Sequence, residues 1–89
     1  MNDVESKDKQ FVEYLLAEMV NHPEDIRVRR SVDEIGVLIE VQVNKADMGI
    51  LIGAKGQNVN AVRTLLRIVG SKQNARVNLK VIEPSEPLI

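Results

Sequence analysis

The chain has 89 residues and a formal net charge of −1, which suits one compact domain with an aliphatic core, because Phe11 and Tyr14 are its only aromatic residues. Cysteine is absent, which excludes disulfides, thiolate metal sites and a cysteine nucleophile. No apolar run approaches the ~20 residues that cross a membrane, and the polar start has no signal-peptide core, so we expect a cytoplasmic protein.

The charge is unevenly distributed along the chain. Residues 1–25 carry seven acidic residues and two lysines, whereas residues 26–82 carry ten basic and four acidic residues. A basic central region can contact phosphates although the total charge is close to zero. Because uneven surface charge also arises without function, the asymmetry alone favours a nucleic-acid partner only slightly.

The first predicted element is a helix that begins near Ser6, or as early as Asn2, and ends at residues 21–23. Pro23 ends it because proline lacks a backbone donor and restricts the residue before it. His22 is the sole histidine, and we expect a capping or solvated residue, since no second His or Cys exists to complete a zinc site. The apolar residues recur at helical spacing and form one stripe: Phe11, Val12, Leu15, Leu16, Met19 and Val20.

Two alternating runs then predict a β-hairpin. Apolar and polar side chains alternate at period two over residues 26–29 and again over residues 37–44. Residues 32–34 between them form a polar turn. Asp33 and Glu34 lie in the turn, where solvated carboxylates are more typical than a catalytic pair. The buried face of the second strand consists of Val37, Ile39, Val41 and Val43.

Two helices separated by a glycine-containing loop follow the hairpin. Asn44 is predicted to cap a short helix over residues 45–51, with Asp47 in its first turn. A longer helix runs from about Asn58 to Val69, and Gly70 is placed as its C-terminal stop. The last strand covers residues 75–82, and the tail after it is expected to fray.

The element order αββααβ predicts an α+β fold in which helices pack on one face of a three-stranded sheet. Four basic residues should share the other face of the sheet. A solvated face is favoured over a second nucleic-acid surface, since such faces are usually polar. These residues are Arg27, Arg29, Arg76 and Lys80.

The loop between the two helices contains glycines three positions apart, Gly53 and Gly56. Glycine allows a tight turn and lets another backbone come close. The loop leads into the N-terminus of the longer helix, where unpaired N–H groups and the helix dipole favour a phosphate. Lys55 adds a charge at the tip, and Arg63 and Arg67 follow one turn apart on the helix.

Residues 52–59, Ile-Gly-Ala-Lys-Gly-Gln-Asn-Val, resemble the signature of the KH domain family, Ile-Gly-x-x-Gly-x-x-aliphatic. The order αββααβ is the type II arrangement of that family. Asp47-x-Gly49 and Val62-Arg63 also resemble the small single-KH bacterial RNA-binding proteins of the KhpA type. The resemblance implies an N-terminal extension over residues 1–5, a single KH domain over 6–83 and a flexible tail over 84–89.

This resemblance implies that the loop and its flanking helices form one wall of a groove for about four nucleotides of single-stranded RNA. The loop backbone would contact phosphates, while an aliphatic floor and a strand edge would meet the bases. Family members often carry basic residues at positions 50, 54 and 57, so a single loop cation predicts weak binding or reliance on a partner. The implied RNA-binding residues are Ile52, Gly53, Ala54, Lys55, Gly56, Gln57, Asn58 and Arg63.

The resemblance also implies an RNA chaperone or post-transcriptional regulator, as a homodimer or paired with a larger KH-containing protein, without metal or cofactor. The alternative is a protein-interaction adaptor that uses the KH fold to dimerise, which weak loop charge and an acidic first helix motivate. Double-stranded DNA is disfavoured, because no helix is rich in residues that read base edges. Nucleotide-binding motifs are absent, so neither an enzyme nor a small-molecule substrate is expected.

Overall fold

The computed structural model describes residues 6–88, and its elements follow the predicted order. The helices are α1 (Lys7–Met19), α2 (Met48–Ile52) and α3 (Gln57–Lys72). The strands are β1 (Arg27–Val32), β2 (Val37–Gln42) and β3 (Val77–Val81). A start of α1 as early as Asn2 lies outside the described residues. No helix in this part of the chain is long and apolar enough to cross a membrane.

The sheet has the order β1-β2-β3, with β2 in the centre. β1 pairs antiparallel with β2, and Arg29 lies opposite Glu40. β2 pairs parallel with β3, and Ile39 lies opposite Leu79. A parallel pair needs a long crossover connection. Here α2, the glycine loop and α3 form that crossover, which places the loop beside one edge of the sheet.

One hydrophobic core lies between the helices and the sheet, and this confirms the α+β prediction. The apolar stripe of α1 faces inward, with Val12 and Leu16 fully buried. α3 contributes Val62 and Leu66 to the same core cluster. The inward residues of β2 and the residue that follows the strand complete it, and they are the predicted ones: Val37, Ile39, Val41 and Val43.

A charged pair fixes α1 to β1, and the sequence pattern does not reveal it. Asp8 is only 3% exposed, although it stands in the first turn of α1. Arg30 Nε donates to Asp8 Oδ1 at 3.0 Å from the helix-facing side of β1. A buried carboxylate needs such a partner, because an unpaired charge inside a protein is costly. Two residues that count as surface charges in the sequence therefore join the helix layer to the sheet.

The predicted end of the long helix at Gly70 is wrong. α3 continues to Lys72, and the chain turns at Asn74, whose φ is 58°. Gly70 is required for packing instead, because a Cβ there would lie 2.6 Å from Val77 Cγ2. Glycine thus lets α3 approach β3 closely. The hairpin turn also differs by one residue, since Val32 ends β1 rather than beginning the turn.

The outer face of the sheet carries the predicted basic residues, but acidic and amide groups lie among them. Glu40 is buried on this face, and Arg29 Nη2 lies 2.7 Å from Glu40 Oε1. Gln42 is also buried, and its side-chain amide donates to the Glu83 carbonyl at 2.6 Å. The central position of β2 explains the burial of Glu40, which has a neighbour in each flanking strand, whereas Gln42 lies beyond the last pair with β3 and contacts Glu83 and Glu86.

Candidate nucleic-acid interface

The loop between α2 and α3 has an unusual backbone conformation. Gly53 has φ 75° and ψ 174°, Lys55 has φ 57°, and Gly56 has φ 78°. Left-handed φ values cost a side-chain-bearing residue about 1–2 kcal/mol, so Lys55 is a strained position. The Lys55 side chain is exposed at the tip of the loop. The turn therefore projects a lysine and its adjacent backbone groups toward solvent.

Asn58 holds this loop conformation from the first turn of α3. Its Nδ2 donates to the Ile50 carbonyl at 2.8 Å, so it bonds back to the preceding helix. A Cβ on Gly53 would lie 2.5 Å from Asn58 Cγ. Glycine is therefore required at position 53 for two reasons: its φ is positive, and the Asn58 side chain packs where a Cβ would lie.

The start of α3 can attract an anion. In the described part of the chain, residues 6–88, no side chain caps this helix end by a hydrogen bond. The amides of a first helical turn lack partners within the helix, and the helix dipole is positive there. Lys55 precedes this end by two residues, and its charge has the same sign. Phosphate is the ligand that such an arrangement favours.

Arg63 lies between α3 and the edge of β3. Its Nε donates to the Leu79 carbonyl at 3.3 Å, and its Nη1 donates to Asn60 Oδ1 at 3.0 Å. The helical rise places Arg63 roughly 10 Å along α3 from Gly56. Arg63 therefore lies on the side of α3 that faces the sheet edge, about two turns along the helix from the loop.

The edge of β3 presents backbone groups to the same space. Val37 N–H donates to the Arg76 carbonyl at 2.7 Å, and Ile82 N–H donates to the Val41 carbonyl at 2.8 Å. Successive strand residues direct their N–H and C=O groups to opposite sides. The groups of Val77, Leu79 and Val81 therefore point to the open edge. We call the space between the loop, α3 and this edge the groove.

The structure arranges the sequence-predicted site residues in three groups. Ala54, Lys55 and Gln57 are exposed, whereas Asn58 and Arg63 are half-buried and hydrogen-bonded within the protein. The half-buried remainder forms the loop backbone and the end of α2: Ile52, Gly53 and Gly56. Asn60 is a groove residue that the sequence analysis missed, although its position three residues before Arg63 puts both on one helix side.

A buried contact also holds the start of this helix pair. Asp47 is fully buried and accepts hydrogen bonds from Asn21 N–H at 3.2 Å and from His22 N–H at 2.9 Å. His22 Nδ1 lies 3.1 Å from Asp47 Oδ2. Burial raises the pKa of Asp47, but the bonds from the Asn21 backbone and from the His22 ring and backbone lower it below its usual value overall. Asp47 thus joins the end of α1 to the start of α2.

Comparison with known proteins identifies relatives over most of the chain. Residues 9–81 match the family described as KhpA/KhpB, KH domain. The RNA-binding protein KhpA of Chlamydia pneumoniae is 36% identical over 75 residues, which is 84% of this chain and 96% of that protein. The RNA-binding protein KhpA of Halalkalibacterium halodurans is also 36% identical over 75 residues, 84% of this chain and 99% of that protein. That of Clostridium perfringens is 32% identical over 74 residues, 83% and 99% of the two chains.

Proposed function

The chain belongs to the KhpA/KhpB KH-domain family, and on that basis we propose that it binds single-stranded RNA in the groove between α3 and the edge of β3. The relatives are named RNA-binding proteins, which is a class without enzymatic activity. The main support is the loop at residues 53–56, which places a strained, exposed Lys55 next to an uncapped helix N-terminus. The groove would hold about four nucleotides, as KH grooves do.

The phosphates would lie at the loop. The Gln57 N–H already donates to the Ala54 carbonyl, so the first-turn amides of α3 after it would donate to phosphate oxygens, and Lys55 would neutralise part of the phosphate charge. A single lysine makes this a weak contact. We therefore propose modest affinity with a shallow salt dependence, as the sequence also predicts.

The bases would face the edge of β3. The backbone groups of Val77, Leu79 and Val81 can exchange hydrogen bonds with base edges without a side chain that selects one base. Stacking platforms are ruled out in the groove, because both aromatic residues, Phe11 and Tyr14, belong to α1. This recognition tolerates many sequences, and it suits an RNA chaperone or a post-transcriptional regulator more than a reader of one site.

A charge reversal at the loop tests this function. The variant Ala54→Asp/Lys55→Asp sets two carboxylates against the phosphates, and we expect it to weaken RNA binding at least about tenfold because like charges repel. Ala17→Asp/Lys72→Asp is the matched control, since it changes the same residue types at exposed positions away from the loop. Circular dichroism verifies that both variants are folded. Equal affinities of the loop variant and the control would contradict the proposal.

A protein-interaction adaptor is the second candidate function. Val32 and Ile35 are exposed at the end of β1 and in the turn after it, on the opposite edge of the sheet from the groove. Exposed apolar side chains at an open strand edge favour contact with another chain. A second copy or a larger KH-containing protein would fit there. Sedimentation over a wide concentration range tests this, and a monomer throughout that also captures no KH-containing partner would contradict it.

A further inference from the structure

We infer that a second RNA contact lies in the cleft between the C-terminal half of α3 and the start of β3, and that it binds nucleotides beyond those in the groove. This inference rests on the proposed function. The cleft is open and has a volume of about 610 Å³. Thr64, Arg67, Ile68 and Ser71 line it from α3, and residues 74–76 line it from the turn and the start of β3. None of these residues belongs to the loop at 53–56.

The cleft continues the groove along the same side of α3. Arg63 faces the β3 edge, as its bond to the Leu79 carbonyl shows. Arg67 follows one helical turn later, so it lies on the same side roughly 6 Å farther along the axis. Arg76, immediately before β3, also lines the cleft. A strand that leaves the groove in this direction passes both arginines.

The charge of the cleft suits phosphate. Among the residues that the structure describes, Arg67 and Arg76 are the only charged ones that line it, and both are exposed. Within residues 6–88 neither guanidinium forms an ion pair, whereas Arg30 and Arg29 are paired with Asp8 and Glu40. Two unneutralised arginines that line one cleft can each bind a phosphate through several donors. The groove has its single lysine at one end, and this pair supplies the stronger cation site at the other.

The floor of the cleft suits a base. Ile68 is 57% exposed, and Ala75 lies beside it. Ser71 and Asn74 add polar groups that can reach a ribose or a base edge. Apolar surface between two cations matches a nucleotide, which has a flat apolar face and charged phosphates on both sides. A single RNA strand can therefore occupy the groove and the cleft together.

RNA length provides the test. Affinities of the full chain are measured for unstructured oligonucleotides of four and eight nucleotides. We expect the longer RNA to bind more tightly. We expect Arg67→Gln/Arg76→Gln to weaken binding of the eight-nucleotide RNA about tenfold, which is the scale of two exposed ion pairs. Binding of the four-nucleotide RNA should change less than about twofold, because that RNA fills only the groove. For the longer RNA, the slope of log affinity against log salt concentration should become shallower by about 0.7 for each phosphate contact that the variant loses.

Lys72→Gln is the matched control, because it removes an exposed cation from the same helix in a cavity with Lys7 and Val69, away from the cleft. It should leave both affinities unchanged. Equal affinity of the double variant and this control for the longer RNA would overturn the inference, as would equal affinity of the unaltered chain for both lengths. A changed oligomeric state with unchanged RNA affinity would overturn it in favour of a contact between copies. Failure of the loop variant to affect either RNA would instead contradict the proposed function.

Discussion

The Asn58 side chain bonds the start of α3 to the Ile50 carbonyl at 2.8 Å, across the loop that the two helices share. The bond uses a side-chain donor to satisfy a carbonyl near the end of α2, which has no partner within so short a helix. It also brings Asn58 against Gly53. The shape of the loop therefore depends on the first turn of α3 as much as on the two glycines.

Replacing Asn58 should loosen the loop. Asn58→Ala removes the bond to Ile50, and we expect a loss of about 1 kcal/mol in the free energy of unfolding, the typical net value of one hydrogen bond. RNA affinity should fall with it, because the loop is no longer held in the binding conformation. Urea unfolding and an RNA titration measure the two effects. Asn78→Ala, at an exposed asparagine of β3, is the control, and an equal effect on RNA affinity in both variants would contradict this role.

Gly53 and Gly49, four residues apart, should respond oppositely to replacement by alanine. Gly53→Ala introduces a Cβ at a positive φ and 2.5 Å from Asn58 Cγ, so we expect a destabilisation of roughly 1–3 kcal/mol. Gly49→Ala lies in α2 with nothing within 4 Å of the new Cβ. It should be neutral or stabilise by up to about 1 kcal/mol, because alanine favours helix. Urea unfolding of both variants checks the pair, and equal losses would contradict the backbone argument.

The contact between Asp8 and Arg30 should matter for stability although both residues are charged. Asp8→Ala leaves the half-buried Arg30 guanidinium without its carboxylate, and we expect a loss of about 2 kcal/mol, the scale of hydrogen bonds to charged groups. Glu13→Ala, at an exposed carboxylate of the same helix, should change stability by less than about 0.5 kcal/mol. Thermal or urea unfolding measures both. Similar losses in the two variants would show that the pair contributes little.

The stability of the protein should depend on pH through Asp47. Its pKa is lowered in the folded state, so its ionised form contributes stability that is present above the unfolded pKa and is lost as pH falls through the lower folded value. The free energy of unfolding should therefore fall progressively once pH drops below about 4, the ordinary pKa of aspartate. Asp47→Asn should lack this part of the dependence. Urea unfolding between pH 7 and pH 3 checks it.

The control for this pH dependence is Glu13→Gln, which neutralises an exposed carboxylate. At neutral pH the Asp47→Asn variant should be less stable than the unaltered protein, and the difference between their free energies of unfolding should become smaller at low pH. A constant difference over the whole range would mean that the charge of Asp47 contributes no stability.

The architecture could be predicted from the sequence because it follows from hydrophobic periodicity. The stripe of α1 and the alternation of Val37, Ile39, Val41 and Val43 specify which face each element buries. The Gly53 and Gly56 spacing located the turn between α2 and α3, where both glycines do have positive φ. These are local sequence preferences, and the folded protein adopts them where they are consistent with the packing of the core.

Features that depend on contacts between distant segments could not be predicted. Gly70 has the local signature of a helix stop, but its lack of a side chain serves the approach of Val77. Asp8 and Arg30 are 22 positions apart, and nothing in a helical or alternating pattern pairs them. The same holds for the Arg63 contact with the Leu79 carbonyl, which depends on how the crossover places α3 against β3. The roles of the site residues in RNA binding stay predictions.

The most direct test of RNA binding in the groove is a titration of isotope-labelled protein with a short, unstructured RNA pool, followed through the backbone amide shifts. We expect the shifts to concentrate at residues 53–58, with further shifts at Val77, Leu79 and Val81 on the strand edge. Shifts confined to the outer face of the sheet, at Arg27, Arg29 and Lys80, or no shifts at all, would contradict RNA binding in the groove.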